Sequence, residues 1–388
     1  MFSKRTSWNR HENELSQMVG QMRASAKRIS DLTLSNPTEC GFLYEEKEIR
    51  DALGCNGIVE YRPAAFGMAS AREAVAGYYR AQHGLEIHRD NVVLSSGTSE
   101  GYSFLFRLLC NPGDEVLIAA PGYPLVDFLA DLCDVKLVRF PLSYDHRWQI
   151  DFTALTAAAS ARTRAVIVVH PNNPTGQYVS AREQKELMEF CGQRGIALIA
   201  DEVFLDFSFR DGEPVRSFVS SGEVSTFTLS GLSKICGMPQ MKLAWIVASG
   251  PQPERREALA RLEVIADAYL SVGTPVQLAA RDLLEMRKTF QAQAVDRVRA
   301  NLAELNRQLA EQTACTRLEC EGGWTAVLRV PALQTDEELA ITLLKERGVL
   351  VHPGHFYDFA RPGHVVVSLI VPTEEFAKGI RCALAHFK

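Results

Sequence analysis

The sequence lacks a surplus of positive charge, any long apolar run, paired cysteines and internal repeats. Its 388 residues carry 42 Lys and Arg against 47 Asp and Glu, a formal net charge of −5. A chain that tracks a nucleic-acid backbone normally shows a basic excess, so nucleic acid is not the expected partner. No stretch approaches the ~20 apolar residues that crossing a bilayer requires. The opening MFSKRTSWNRHENEL has no apolar stretch of the kind a secretory signal needs. The expectation is a cytoplasmic protein with no membrane partner. The nine cysteines are scattered singly, without a C-x-x-C pair. That argues against a disulfide framework and against a cysteine-ligated metal.

What is present is the balance of an ordinary globular protein, 46% hydrophobic and 23% charged. The length asks for either two domains or one large α/β domain with an appended lobe. Residues 10–30 are polar and suit an amphipathic arm, and LTLSNPTECG (32–41) reads as an extended piece broken by Pro37 and Gly41. ASAREAVAGYYRAQHG (69–84) predicts a helix capped by Gly84. Short β-branched runs then follow at 91–96, 115–121, 135–141, 164–170, 195–201 and 224–230, with helices over 100–110 and 180–194 between some of them. Strands separated by helices predict an α/β fold with a mostly parallel sheet covered by helices. Beyond about 285 the pattern changes. A charged helix over 285–313, a helix over 335–347, two short apolar runs and a terminal helix suggest a smaller α+β lobe.

In such sheets ligands gather at the carboxyl ends of the strands. The chemically unusual residues fall there: Ser96-Gly97-Thr98, Asn173, Asp201 and Ser233-Lys234. Lys234 follows a strand among small and hydroxyl residues, and taken alone it reads equally as a solvated surface lysine. A lysine that attacks an aldehyde must lose its proton easily, which desolvation and a nearby cation such as Lys242 favour. SSGTSEG (95–101) joins strand to helix, where backbone N–H groups and hydroxyls suit a phosphate. Taken alone, it reads better as an ordinary capped helix. Asp201 ends an apolar strand, and a buried carboxylate needs a partner. That partner is either a cationic ring nitrogen or a local cap or salt bridge.

Taken together, the order Tyr61…Gly67, SGT, PGYP (121–124), HPNNPTG (170–176), DEVF (201–204) and SK…K (233–242) resembles the class I and II aminotransferase family, of the aspartate-aminotransferase fold. The resemblance runs from SNPT near residue 35 into the C-terminal lobe. It implies a fold type I enzyme with a large domain over 46–285 and a small domain built from 1–45 and 286–388. It implies pyridoxal 5'-phosphate as cofactor, held by Lys234 as a Schiff base with Asp201 on the ring nitrogen. Asn173 would bind the phenolic oxygen and Tyr123 would stack on the ring. Ser96, Gly97, Thr98, Ser233 and Lys242 would surround the phosphate. Tyr61 would reach the cofactor of a neighbouring subunit, which implies a homodimer with shared sites. The partners are then an amino donor and a keto-acid acceptor, in ping-pong turnover.

Four positions depart from the family pattern. Phe204 stands where a tyrosine is usual, Lys242 replaces an arginine, and Gly231 replaces a serine. Val366, in GHVVVS (363–368), stands where an arginine usually clamps the substrate carboxylate. Asn36, Trp324, Arg361 and Val366 are the expected substrate-side residues, with Trp324 reading equally as core and Arg361 reading somewhat better as a surface charge. His352 and His355, in VHPGHF, read better as structural or solvent-facing. Two further readings remain at this point. One is a β-eliminating carbon–sulfur lyase with the same cofactor. The other is a non-enzymatic cofactor-binding regulator, for which residues 1–45 are too short and too weakly basic to supply a DNA-binding domain.

Overall fold

The computed structural model describes residues 2–210 and 215–387. The polar arm forms α1 (Glu14–Ala24), followed by β1 (Ser30–Asp31), α2 (Glu46–Leu53) and α3 (Ala69–His83). Alternation then sets in: β2 (Val92–Ser95), α4 (Thr98–Leu109), β3 (Glu115–Ala120), α5 (Leu125–Leu132), β4 (Lys136–Asp145), β5 (Arg147–Ile150), α6 (Phe152–Ala158), β6 (Thr163–Val169), α7 (Ala181–Arg194), β7 (Ala197–Asp201), β8 (Thr226–Gly231), α8 (Leu232–Ile235), β9 (Ala244–Ser249) and α9 (Gln252–Asp267). The long α10 (Thr274–Leu309) leads to β10 (Thr316–Arg317), β11 (Thr325–Arg329), α11 (Asp336–Thr342), β12 (Val349–Leu350), β13 (His352–Pro353), β14 (His364–Ser368) and α12 (Thr373–Leu384).

Eight strands form one sheet in the order β2-β9-β8-β7-β6-β3-β4-β5. Its centre, β4-β3-β6-β7-β8, is parallel, and β9, β2 and β5 join antiparallel. Period-2 alternation sends Leu117, Val166 and Leu198 to one apolar cluster and Val116, Ile167 and Ile199 to another. Both faces are therefore buried, which is why these strands read as unbroken apolar runs. A second sheet, β10-β11-β14-β13, and the pair β1-β12 build the smaller lobe.

Three sequence expectations change in detail. Residues 32–41 are not simply extended: Asn36 Oδ1 accepts from the Thr38 N–H and starts a turn of 3-10 helix, Pro37–Glu39. An Asn cap followed by proline is a helix start, and its short length hid it. The helix expected over 335–347 is α11 followed by a π turn, Leu343–Arg347, that stops on left-handed Gly348. The helix expected from 285 begins at Thr274, after an N-cap at Gly273 and with Pro275 in its first turn. The expected boundary at 285 thus lies inside α10. Leu283 and Leu284 pack with Trp245 against the large sheet, whereas Phe290, Ala294 and Val298 join the core of the smaller lobe. Among the described residues no helix is long and apolar enough to cross a membrane.

Candidate active site

Parallel strands bring their carboxyl ends to one edge. Asp201 closes β7, and α8 begins directly after β8, the neighbouring strand, so Lys234 stands one turn beyond that edge. Burial raises the Asp201 carboxyl to about 6, and the N–H of Val203, the hydroxyl of Tyr102 and the charge of Lys234 each pull it back down. Burial likewise lowers the Lys234 amine, with Asp201 opposing the shift. Each group thus stabilises the charge of the other in a setting that disfavours both. The Lys234 Nζ stands 5.7 Å from the centre of the Phe204 ring and 5.3 Å from that of Trp324. The two rings meet edge to face at 5.2 Å. An amine between aromatic faces keeps part of its attraction for a proton.

The loops around this pair are bolted together. Asn172 Nδ2 donates to the Pro121 carbonyl at 3.1 Å, tying the 170–176 loop to the loop that carries Tyr123. The Gly122 N–H donates to the Tyr357 carbonyl at 2.9 Å, and Thr325 Oγ1 donates to the Pro174 carbonyl at 2.8 Å, so the smaller lobe closes one side. Tyr123 is 45% exposed, and burial followed by the charge of Asp201 raises its hydroxyl. Asn173 Oδ1 is buried and has no partner. Such an orphan costs about 1–3 kcal/mol, which a ligand donor would relieve.

The glycine of SGT caps α4 without a side-chain cap. A Cβ on Gly97 would come 3.6 Å from Lys242 Nζ, so the ammonium faces the helix N-terminus. Dipole and charge converge there on a place for an anion. Lys242 reaches it from a left-handed backbone, φ 53°, a conformation uncommon outside glycine. Ser233 adjoins Lys234 and is half-buried. The glycine at 231 has a steric reason, since a Cβ there would lie 2.8 Å from that of Ala244.

The structure therefore gathers Lys234, Asp201, Phe204, Trp324 and Tyr123 in one group, and Gly97 with Lys242 in an anion cradle flanked by Ser96 and Thr98. The other expected residues have these surroundings. Tyr61 is 75% exposed and lines a surface cleft with Arg62, Leu94 and Leu270. Asn36 spends its side chain on Thr38 and Glu39. Arg361 is exposed, and Val366 is fully buried in β14, paired with Val327 and His352 and packed in an apolar cluster with Tyr357. His352 is partly buried beside Tyr357, and His355 is exposed. Tyr102, which holds Asp201, escaped the sequence reading. Its only signal was a polar ring inside the apolar helix EGYSFLF. An unpartnered amide oxygen, a carboxylate at a strand end, a desolvated lysine and an anion cradle together fit a phosphorylated aromatic aldehyde. Among the described residues no cluster of three or more His, Cys, Asp or Glu is arranged for a metal.

Comparison with known proteins agrees in kind. The family described as aminotransferase class I and II matches residues 45–381. The glutamate-pyruvate aminotransferase AlaA of Haemophilus influenzae is 25% identical over 352 residues, 89% of this chain and 87% of that protein. The alanine aminotransferase of Mycobacterium tuberculosis is 25% identical over 380 residues, 94% and 86% of the two. Among solved structures, the alanine aminotransferase from Pyrococcus furiosus superposes with a TM-score of 0.88 at 22% identity, over 100% of this chain and 99% of that one. At that identity the likeness speaks for the fold.

Proposed function

The chain belongs to the aminotransferase class I and II family, and from that premise we propose that it holds pyridoxal 5'-phosphate on Lys234 and moves an amino group from an amino acid or amine to a keto acid. The observation that carries this reading is the buried Lys234–Asp201 pair at adjacent strand ends. When bound, the cofactor supplies an electron-poor ring that accepts the electrons of a breaking Cα–H bond. Asp201 is the residue to keep the ring nitrogen protonated, and Asn173 the one to bind the ring oxygen. The N-terminus of α4, with Ser96, Thr98, Ser233 and Lys242, is the cradle for the phosphate. Lys234 Nζ, lowered by burial, is poised to take a proton from the substrate Cα and later return it. Phe204 and Trp324 wall the amine, and Tyr123 is the residue to stack on the ring. Family membership sides with transfer over β-elimination and over a non-enzymatic role.

The relatives' names put glutamate, alanine and pyruvate first on a panel of donors and acceptors, with amines lacking a carboxylate beside them. Borohydride treatment of the yellow protein and peptide mapping should label Lys234. Labelling of Lys242, or of neither, contradicts the assignment. A homodimer is part of the same proposal: Val59, Tyr61 and Tyr269 are 91%, 75% and 49% exposed, large side chains that a subunit interface would cover. So is a cytoplasmic location, where the nine free cysteines would stay reduced. Sedimentation and fractionation test these two.

A further inference from the structure

Behind the reacting lysine lies a buried polar node that the proposed reaction does not use. The Asp206 side chain is fully buried. Its oxygens accept from the Tyr78 hydroxyl at 3.1 Å and from Gln291 Nε2 at 2.6 Å, and His83 Nε2 lies 3.0 Å away. Arg287, itself buried, places its guanidinium 5.3 Å from the centre of the Tyr78 ring. The same Gln291 Nε2 donates its second hydrogen to the Ile235 carbonyl at 3.1 Å. Ile235 follows Lys234 directly.

The helix carrying Lys234 has four residues, so its last carbonyls have few partners inside it. Backbone bonds hold its start, from the Leu232 N–H to the Leu243 carbonyl and from the Met238 N–H to the Leu232 carbonyl, and the side chain of Gln291 adds a hold on the Ile235 carbonyl. Asp206 belongs to the turn that leaves Asp201, pinned by the bonds from the Leu205 N–H to the Glu202 carbonyl and from the Phe207 N–H to the Phe204 carbonyl. One amide on α10 therefore joins the two elements that present Lys234 and Asp201. We propose that Gln291 is a positioning residue for the reaction, clamping the Lys234 helix to the turn after Asp201 and setting the lysine's approach to its substrate. This rests on the reading of Lys234 given above. It makes α10 an active participant in the site, although α10 contributes no side chain to the aromatic walls around Lys234 Nζ.

Gln291→Met removes both donors at similar volume, and the swap D206N/Q291E provides the control. In the swap, the new amide at 206 can donate to the new carboxylate at 291, so the link between turn and helix is remade, but nothing at 291 can donate to the Ile235 carbonyl. Displacing a reacting group by a fraction of an ångström lowers kcat by about tenfold or more. Gln291→Met should show that loss with KM within about twofold, and a shift of about half a unit or more in the pH midpoint of the cofactor's visible band. Exchange of the 236–238 amides should quicken in parallel. The swap should recover melting temperature while kcat and the midpoint stay displaced. Wild-type kcat and midpoint in Gln291→Met overturn the proposal, as does a swap in which kcat returns together with melting temperature. Should Gln291→Met fail to fold, the swap alone decides on the same terms. Borohydride labelling of the wild type separates the two claims. A missing Lys234 label overturns the underlying reading and the clamp together, whereas a normal label beside normal Gln291→Met kinetics overturns only the clamp.

Discussion

The Tyr102 hydroxyl donates to Asp201 Oδ2 at 2.9 Å across the gap between α4 and the end of β7. With the Val203 N–H on Oδ1 at 3.2 Å, this bond is what keeps a carboxylate tolerable in a site that excludes water. It also ties Asp201 to the helix whose N-terminus forms the anion cradle.

Removing that donor should be visible in the pH profile. In Tyr102→Phe the Asp201 carboxyl rises further above about 6, so less of it is charged at neutral pH. The acid limb of kcat/KM should move to higher pH, with a fall of roughly tenfold, about 1.4 kcal/mol, at pH 6. An acid limb that stays in place would show that Asp201 does not govern it.

Asp201 also sets a stability slope. Its folded value of about 6 lies above the unfolded 3.8, so folding disfavours the charged form. The penalty is absent below pH 3.8, grows as the pH rises through 6 and is complete above it. Asp201→Asn should stabilise the cofactor-free protein at pH 8 by up to about 3 kcal/mol and hardly at pH 4, while abolishing turnover. Melting curves at the two pH values test it, and equal effects at both would contradict it.

His170 slopes the other way. It is fully buried, its Nδ1 accepting from the Val179 N–H at 3.0 Å and its Nε2 lying 3.1 Å from the Arg216 carbonyl. Burial lowers it from 6.5 to about 4. Its contribution is complete above pH 6.5 and is lost as the pH falls through 4, in total roughly 3 kcal/mol. His170→Gln should lower stability at pH 7 and flatten the acid limb of the stability curve between pH 6.5 and 4. A variant whose acid limb keeps the wild-type slope would refute this.

Carboxylate recognition is the fourth test. Val366 sits fully buried among apolar side chains. Val366→Arg should therefore destabilise the fold by about 3 kcal/mol or more, as an unpaired buried charge does, before it could hold a carboxylate. Arg62 is ion-paired with Glu60 and Arg361 is exposed. Arg62→Ala and Arg361→Ala should each leave KM for the best donor of the panel within about twofold. A tenfold rise in either would identify the carboxylate's partner.

Much of this protein was written in local sequence. Short β-branched apolar runs separated by helical stretches marked the strands and helices of the large sheet because both its faces are covered and its strands must be apolar throughout. Gly84 announced a helix end because only a left-handed residue closes it cheaply. The chemistry was legible for a related reason. Lysine, aspartate and a small-residue turn at the ends of apolar strands are costly placements, and so they stand out from their surroundings.

Other features depended on chain segments far apart in sequence. Trp324 reaches Lys234 because the Gly323 N–H bonds to the Phe207 carbonyl, and the Leu369 N–H bonds to that of Trp324. Nothing in GGWTAV alone says so. Tyr102, Asp206 and Gln291 look like unremarkable helix and turn residues until α3, α4 and α10 pack around β7 and α8. Val366 matched a family position by spacing, yet strand register decides that its side chain enters the core. Sequence by itself determined which residues carry reactive groups and which elements hold them, because those depend on spacing along one segment. Tertiary structure decided which groups meet, and with what partners and burial, because the field at each group is the sum over neighbours from segments that chain order does not relate.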